Sequence, residues 1–333
     1  MTGSIKSWIK VFRLQTALVT ALALWVGYVS TGQSQLGDIV VLAIVGLLTH
    51  MWGFGLNEVY DYEYDVQNQR SSGHPIATGE VQRKRVKYAS RASIVFAIFI
   101  IWMGSKGALA PLMLVLSVIP GFAYNKYSKV HWWSNIYLSI WAFILVIAGA
   151  LYVGEPNIIT YLIAGALFIQ IFVQVIEGDI KDIQGPESTF AGRFGTHLFS
   201  SFDAELNDYT RIKYSNTLVS IVFSLKFIES ALIGIVGFLS VTYGGFKMMA
   251  YVGLICIALL LFIYTLAKIF KKEYDRERVK INSAKHELTS IAVIGISMSM
   301  INIVAGLIIL VAPILWFIGM NGLIHSKGLS PDI

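Results

Sequence analysis

Apolar runs of membrane-spanning length recur along the chain, and they constrain it more than any other feature. A helix crossing a bilayer core needs about 20 predominantly apolar residues. Such runs occur near 12–30, 38–57, 91–105, 108–124, 133–153, 158–177, 217–242, 248–269 and 290–320. The composition agrees. Hydrophobic residues make up 56% of the chain and charged residues 14%, where a soluble domain carries roughly 25% charged residues. The expected fold is all-α: a polytopic membrane protein of about nine transmembrane helices bundled around a central cavity. The apolar runs continue through the chain, so 1–333 reads as one membrane domain. Runs three and four are short and joined by Gly104-Ser105-Lys106-Gly107, so they read as two spans or as one bent hairpin. The last run is long for a single span and is expected to tilt or bend near Pro313.

The first run is too long for the core of a signal peptide, and no small-residue cleavage site follows it. It is read as a span. The single cysteine, Cys256, excludes an intrachain disulfide framework and a cysteine-cluster metal site. The net charge of +6 is assigned to loop orientation rather than to nucleic acid.

Basic residues orient the spans, because Lys and Arg accumulate in cytoplasmic loops. The N-terminal segment carries Lys6, Lys10 and Arg13. The loops after spans two, four, six and eight carry nearly all the rest. Only Lys106, Lys247 and Lys327 fall in the alternate loops. The expectation is an integral protein of the cell membrane, with its N-terminus inside and its C-terminus outside.

Polar chemistry concentrates at the same face. Span two ends in Asn57, Asp61 and Asp65, spaced i, i+4, i+8. On a helix these three oxygen-bearing side chains share one face. Carboxylates near membrane depth are costly and usually functional. Oxygen ligands of this kind suit Mg²⁺, which is commonly held by a few carboxylates together with substrate phosphates. A second acidic set, Glu177, Asp179, Asp182 and Glu187, follows span six at the same face. Two such sets facing one another have the means to hold metal ions that bridge a diphosphate. Loops 58–90 and 178–216 are therefore expected to form the active site and its cytoplasmic-side cap.

These motifs resemble those of the UbiA-type intramembrane prenyltransferases. The stretch from Asn57 to Asp65, with Asn68, Arg70 and His74-Pro75-Ile76-Ala77-Thr78-Gly79, is similar to their first aspartate-rich motif and its trailing loop. Asp179-Ile180-Lys181-Asp182-Ile183-Gln184-Gly185 is similar to their second motif, and Tyr124-Asn125-Lys126-Tyr127-Ser128-Lys129 to their loop after span four. The resemblance implies Mg²⁺-dependent transfer of a prenyl group from a prenyl diphosphate to a hydrophobic or aromatic acceptor, with release of diphosphate. It implies Asn57, Asp61, Asp65, Asp179 and Asp182 as catalytic metal ligands. Arg13, Arg70, Lys126 and Lys181 become the diphosphate binders, and membrane lipids the surroundings. The chain departs from the family pattern at three places, one of them the stretch from Pro186 to Thr196, which is longer than the family's usual spacing to its Gly and Thr. Pro186 stands where an aspartate is expected, which makes Glu187 or Asp179 the substitute ligand. His74 stands where an arginine is common.

Two other functions use similar parts. A terpene cyclase on the same fold would quench the cation internally. A non-catalytic lipid-binding or transport protein would spread polar groups through the membrane depth. Among single residues, His50 is expected to bond between helices, and Lys226 with Glu229 to form a mutually neutralising pair.

Overall fold

The computed structural model describes residues 4–67, 74–128, 130–181, 189–194, 196–198, 202–203, 208–209, 212–244, 248–270 and 276–325. It is a helical bundle, as expected. A short helix α1 (Ile5–Val11) leads through a 3₁₀ turn (Leu14–Thr16) into α2 (Ala17–Ser30). Then come α3 (Leu36–Gln67), α4 (Arg83–Gly104), α5 (Leu109–Tyr127), α6 (Asn135–Ala150) and α7 (Ile158–Lys181). After the short α8 (Phe190–Phe194) the chain forms two small antiparallel pairs, Thr196–Leu198 with Ile212–Tyr214 and Phe202–Asp203 with Asp208–Tyr209. Helices α9 (Asn216–Gly244), α10 (Met248–Ile269), α11 (Arg276–Ser299) and α12 (Ile303–His325) complete it.

Helix α2 is the axis of the bundle. Its residues from Thr20 to Ser30 are all buried, and it packs against α3, α6, α7 and α12. Small residues permit that crowding, as they commonly do where helices meet in lipid. A methyl group on Gly27 would overlap the Val146 carbonyl of α6, and one on Gly149 would overlap the Leu24 carbonyl of α2. The far end of α2 is tied by hydrogen bonds. The Tyr28 hydroxyl donates to Asp38 at 2.7 Å, and the Asn157 amide donates to the Ser30 carbonyl at 2.9 Å.

Two details differ from the sequence expectation. Among the described residues, seven helices are long and apolar enough to cross a membrane. The number is eight if the bent pair Ile5–Val11 and Leu14–Ser30 counts as one span. Helix α6 is apolar but shorter, so nine is not reached by this measure. The run 290–320 is not one bent span. It is divided between α11 and α12, which break at 300–302, while α12 continues through Pro313. Asn302 makes that break. Its side-chain oxygen accepts from the Ala305 N–H at 3.0 Å, capping α12, and its amide donates to Ser34 at 2.9 Å.

The direction of α12 follows from a second bond. Trp316 donates its indole N–H to the Leu14 carbonyl at 2.6 Å. Ser34 and Leu14 lie beyond opposite ends of α2, so α12 runs antiparallel to it. By His325 the chain has returned to the Leu14 end of the bundle. The loop charges alone put the C-terminal end opposite. Splitting the last run into two helices removes that assignment.

Close packing of α2 on α6 makes a specific prediction. Gly149→Val forces the two helices apart, and overpacking of this kind costs about 1–3 kcal/mol or more. A thermal-unfolding scan in detergent should show a clearly lowered melting temperature.

Candidate functional site

The acidic site begins at the end of α3. Asn57 and Asp61 share a face as their spacing requires, and the Asn57 amide donates to the Asp61 carboxylate at 2.8 Å. Asp65 lies one helical turn further on. Across the bundle, Asp179 sits near the end of α7. Tyr124, on the last turn of α5, joins the two sides, since Asp179, Asp61 and Arg13 all act electrostatically on its phenol. The next residue, Asn125, is buried and donates to the Gly53 carbonyl of α3 at 3.0 Å. That bond fixes α5 against α3 next to Tyr124.

Sequence reasoning missed the central carboxylate of this region. Glu58 is 3% exposed, and one of its oxygens accepts from Arg13 Nε at 3.2 Å and Nη2 at 3.0 Å. Its other oxygen lies 3.2 Å from His74 Nδ1, within ion-pair distance though not aligned as a hydrogen bond. The 3₁₀ turn, α3 and the loop after α3 therefore meet on one buried carboxylate. The signal was present in the sequence as an acidic residue beside Asn57 and three positions before Asp61. Its partners are remote, which is why it went unread.

Arg13 is held in an unusual backbone state. Its φ of 46° makes it the non-glycine residue with positive φ among those described, a conformation that costs roughly 1–2 kcal/mol for a residue with a side chain. The structure offsets this. Thr16 donates to the Arg13 carbonyl from its backbone N–H at 3.0 Å and from its hydroxyl at 3.0 Å. His50 Nε2 lies 3.1 Å from the same carbonyl. A carbonyl only accepts, so Nε2 carries the proton, and Nδ1 accepts from the Thr20 hydroxyl at 2.9 Å. His50 thus bonds between elements, as expected. The Arg13 guanidinium lies over the Phe54 ring at 5.5 Å. Here the chain turns through 59° between Ile5–Val11 and Leu14–Ser30.

The loop from His74 to Val81 is a compact turn. Thr78 and Gly79 donate their N–H groups to the carbonyls of His74 and Ile76, and Val81 donates to Pro75. Gly79 adopts φ of 77°, which a side chain would strain. Ile76 and Val81 are buried against Val11, Phe12, Val59 and Val86. Ser7 of α1 donates to Glu80 at 2.7 Å. The turn anchors the loop so that His74 faces Glu58. Burial lowers the His74 imidazole to about 4, Arg13 and Lys10 push the same way, and Asp65 opposes them. His74 is neutral at pH 7.

The other expected residues divide. Lys126 is exposed at the end of α5, with its ammonium 5.2 Å from the Tyr127 ring. The backbone of Lys181 closes α7, while its side chain lies outside the described residues. Arg70, Asp182, Pro186 and Glu187 also lie outside them, as does Lys129. Among the described residues no three Asp, Glu, His or Cys side chains converge as a metal-holding group.

Glu177 belongs to a different environment from Asp179. Two positions along a helix turn a side chain through about 200°, and Glu177 points into the bundle at 3% exposure. His286 Nε2 on α11 lies 3.7 Å from it, and His286 Nδ1 is 3.1 Å from the Thr265 hydroxyl of α10. Lys226 of α9 acts on Glu177, pairs with Glu229 at 2.9 Å, donates to Gln170 of α7 and lies 4.7 Å from the Phe262 ring. The Lys226–Glu229 pair is as expected, and the structure adds Gln170, Glu177 and His286 to it.

A lipid-suited helical bundle with an acidic and basic cluster at one end defines a polytopic membrane protein with a polar site at its rim. The chain belongs to the UbiA prenyltransferase family, whose model matches residues 17–188. Solved structures share the fold. A UbiA homologue from Aeropyrum pernix K1 is 18% identical, with a TM-score of 0.61 over 85% of this chain and 98% of that one. A UbiA homologue from Archaeoglobus fulgidus bound to DMAPP and Mg²⁺ is 16% identical, with a TM-score of 0.57 over 86% and 99%. A digeranylgeranylglyceryl phosphate synthase is 16% identical, with a TM-score of 0.56 over 90% and 98%. No curated protein matches the chain in sequence.

The buried network predicts an asymmetric response. Lys226→Met strands Glu229, and breaking a buried pair this way costs about 3–5 kcal/mol. Lys226→Met combined with Glu229→Leu removes both charges of the pair and should recover part of that loss, with Glu177 and Gln170 still lacking Lys226. Melting temperatures of the two variants in detergent check it.

Proposed function

We propose that this chain transfers a prenyl group from a prenyl diphosphate to a lipid or aromatic acceptor, releases diphosphate, and requires Mg²⁺. The observation that carries this reading is that Asp61 and Asp179 both lie within electrostatic reach of Tyr124. Carboxylates of the two acidic motifs, far apart in sequence, act on one phenol at one end of the bundle. The donor set suits a hard divalent cation, since Asn57, Asp61, Asp65 and Asp179 all offer oxygen. Asp182 and Glu187 follow Asp179 closely in sequence and complete the proposed ligand set. The Archaeoglobus fulgidus homologues bound to DMAPP or GPP with Mg²⁺ support the same substrate class.

Bound there, Mg²⁺ would neutralise charge developing on the diphosphate as the allylic C–O bond breaks. The chain's own groups do the rest. Arg13, Arg70, Lys126 and Lys181 are the proposed cationic contacts to diphosphate oxygens, Arg13 through its forked donors. Tyr124 presents a π face and a hydroxyl beside the reacting end, where a carbon gaining positive charge is stabilised. The apolar helices supply the solvent for the prenyl chain. Following the basic loops, the N-terminus and the site face the cytoplasm, with loops 58–90 and 178–216 framing the site within one membrane domain. The course of α12 favours the same side for its His325 end.

The test is diphosphate release by the purified protein given geranyl diphosphate, Mg²⁺ and an acceptor panel, read alongside mass spectrometry of products. Removing Mg²⁺ with a chelator should stop release. Asp61→Ala, Asp65→Ala and Asp179→Ala should each lower turnover by about 10²-fold or more. Undiminished release in these variants would sink the proposal. Product formed without any acceptor would redirect it to a cyclase.

A further inference from the structure

The trailing turn of the first motif places a lone pair, rather than a positive charge, at the rim of the site. His74 Nδ1 lies 3.2 Å from Glu58 Oε2. A carboxylate oxygen repels a nitrogen lone pair, so Nδ1 is the protonated nitrogen. In a neutral ring, Nε2 then carries the free lone pair. Glu58 is the side chain that partners the ring among the described residues, and Nε2 has no bond to any of them. The carboxylate beneath is 3% exposed and the histidine 24%, so the ring stands between a buried carboxylate and the surface.

Building on the function proposed above, we propose that His74 Nε2 is the base that takes the proton of a hydroxyl acceptor, with Glu58 holding the ring in register. The step balances. The allylic C–O bond breaks and its electron pair leaves with the diphosphate. The acceptor oxygen forms the new C–O bond with its own lone pair, and its proton passes to Nε2. The resulting imidazolium returns that proton to water at the exposed edge. A carboxylate behind an imidazole fixes its tautomer and stabilises the charged form, a general arrangement for base catalysis.

The charged groups facing His74 set its resting state. Arg13 on the 3₁₀ turn and Lys10 on α1 disfavour the imidazolium, and Asp65 on α3 favours it. Burial adds to the first pair and brings the group to about 4. The resting ring is therefore neutral. Arginine at this position would present donors and no lone pair. The substrate class follows. A base at the rim suits an acceptor whose nucleophile is an O–H at the polar end of a lipid.

The experiment uses the full chain in detergent with geranyl diphosphate, Mg²⁺ and two acceptor probes. One is a glycerol-phosphate monoether with a single free hydroxyl, the other 4-hydroxybenzoate. Wild type should prenylate the monoether oxygen. His74→Ala should lower kcat by about 10²-fold, in line with loss of a general base, with KM for geranyl diphosphate nearly unchanged. Added imidazole should restore activity to His74→Ala and leave His74→Arg inactive. His74→Gln, which keeps the size and polarity of the side chain, should show the same kcat loss should His74→Ala fold poorly. Wild-type kcat in His74→Gln, or a deficit in KM alone, overturns the assignment. So does a loss in His74→Ala that imidazole does not restore. Prenylation confined to the ring carbon of 4-hydroxybenzoate overturns the hydroxyl class. Absence of diphosphate release by wild type with either probe is a separate result, which overturns the prenyltransferase reading and takes this one with it.

Discussion

A carboxylate withdrawn from water must be met by a cation or by hydrogen-bond donors, and in this protein that requirement organises the site. Desolvation of an unpaired charge costs several kcal/mol. Glu58 is met by Arg13 and His74, which arrive from two different segments. Meeting it obliges the chain to turn sharply between α1 and α2, where Arg13 takes a left-handed backbone conformation. That turn in turn needs His50 and Thr16 on the Arg13 carbonyl, and His50 needs Thr20. A single buried carboxylate thus draws the first span, the second span and the following loop together. Asp61 and Asp65, about one and two turns along α3, rest on the same framework.

Helix α7 carries two carboxylates on opposite sides. Asp179 looks toward Tyr124 and the site, while Glu177 looks into the bundle toward Lys226 and His286. Its rotation about its own axis is therefore set from behind. Glu177 has to remain beside α9 and α11, and Asp179 is thereby aimed at α5. Lys226 reinforces this by donating to Gln170, about two turns before Glu177 on the same helix. The bundle's interior electrostatics and its rim chemistry are linked through one helix, with no contact between the two clusters required.

Much of this was legible in the sequence, for reasons of period and composition. Apolar runs identified the spans because lipid admits few alternatives to helices. The shared register of Asn57 and Asp61 followed from helical geometry, and their hydrogen bond bears it out. Lys226 and Glu229 were readable as a pair because i, i+3 neighbours face each other. What escaped depended on distant partners or on competing signals. Glu58 looked like one more residue of an acidic helix end, since nothing local shows that Arg13 reaches it. The break at 300–302 was masked by Pro313. A proline draws attention as a helix breaker, yet α12 passes through it, and the polar Asn302 at the bundle end supplies the cap instead. That one misplacement changed where the last helix ends.

The loop after α3 separates scaffold from chemistry. Its shape comes from backbone hydrogen bonds, from Gly79 in a left-handed conformation and from Ile76 and Val81 packed under α1. None of these depends on the identity of residue 74. A change at that position therefore alters what is presented to the site without altering where it is presented. An arginine there would pair with Glu58 and offer the surplus of its fork to an anion. A histidine pairs through one nitrogen and offers the other as an acceptor. With Arg13 already bound to the same carboxylate, a second fixed cation is not needed to neutralise Glu58. The turn can then carry a neutral ring, and the rim of the site gains a group able to receive a proton.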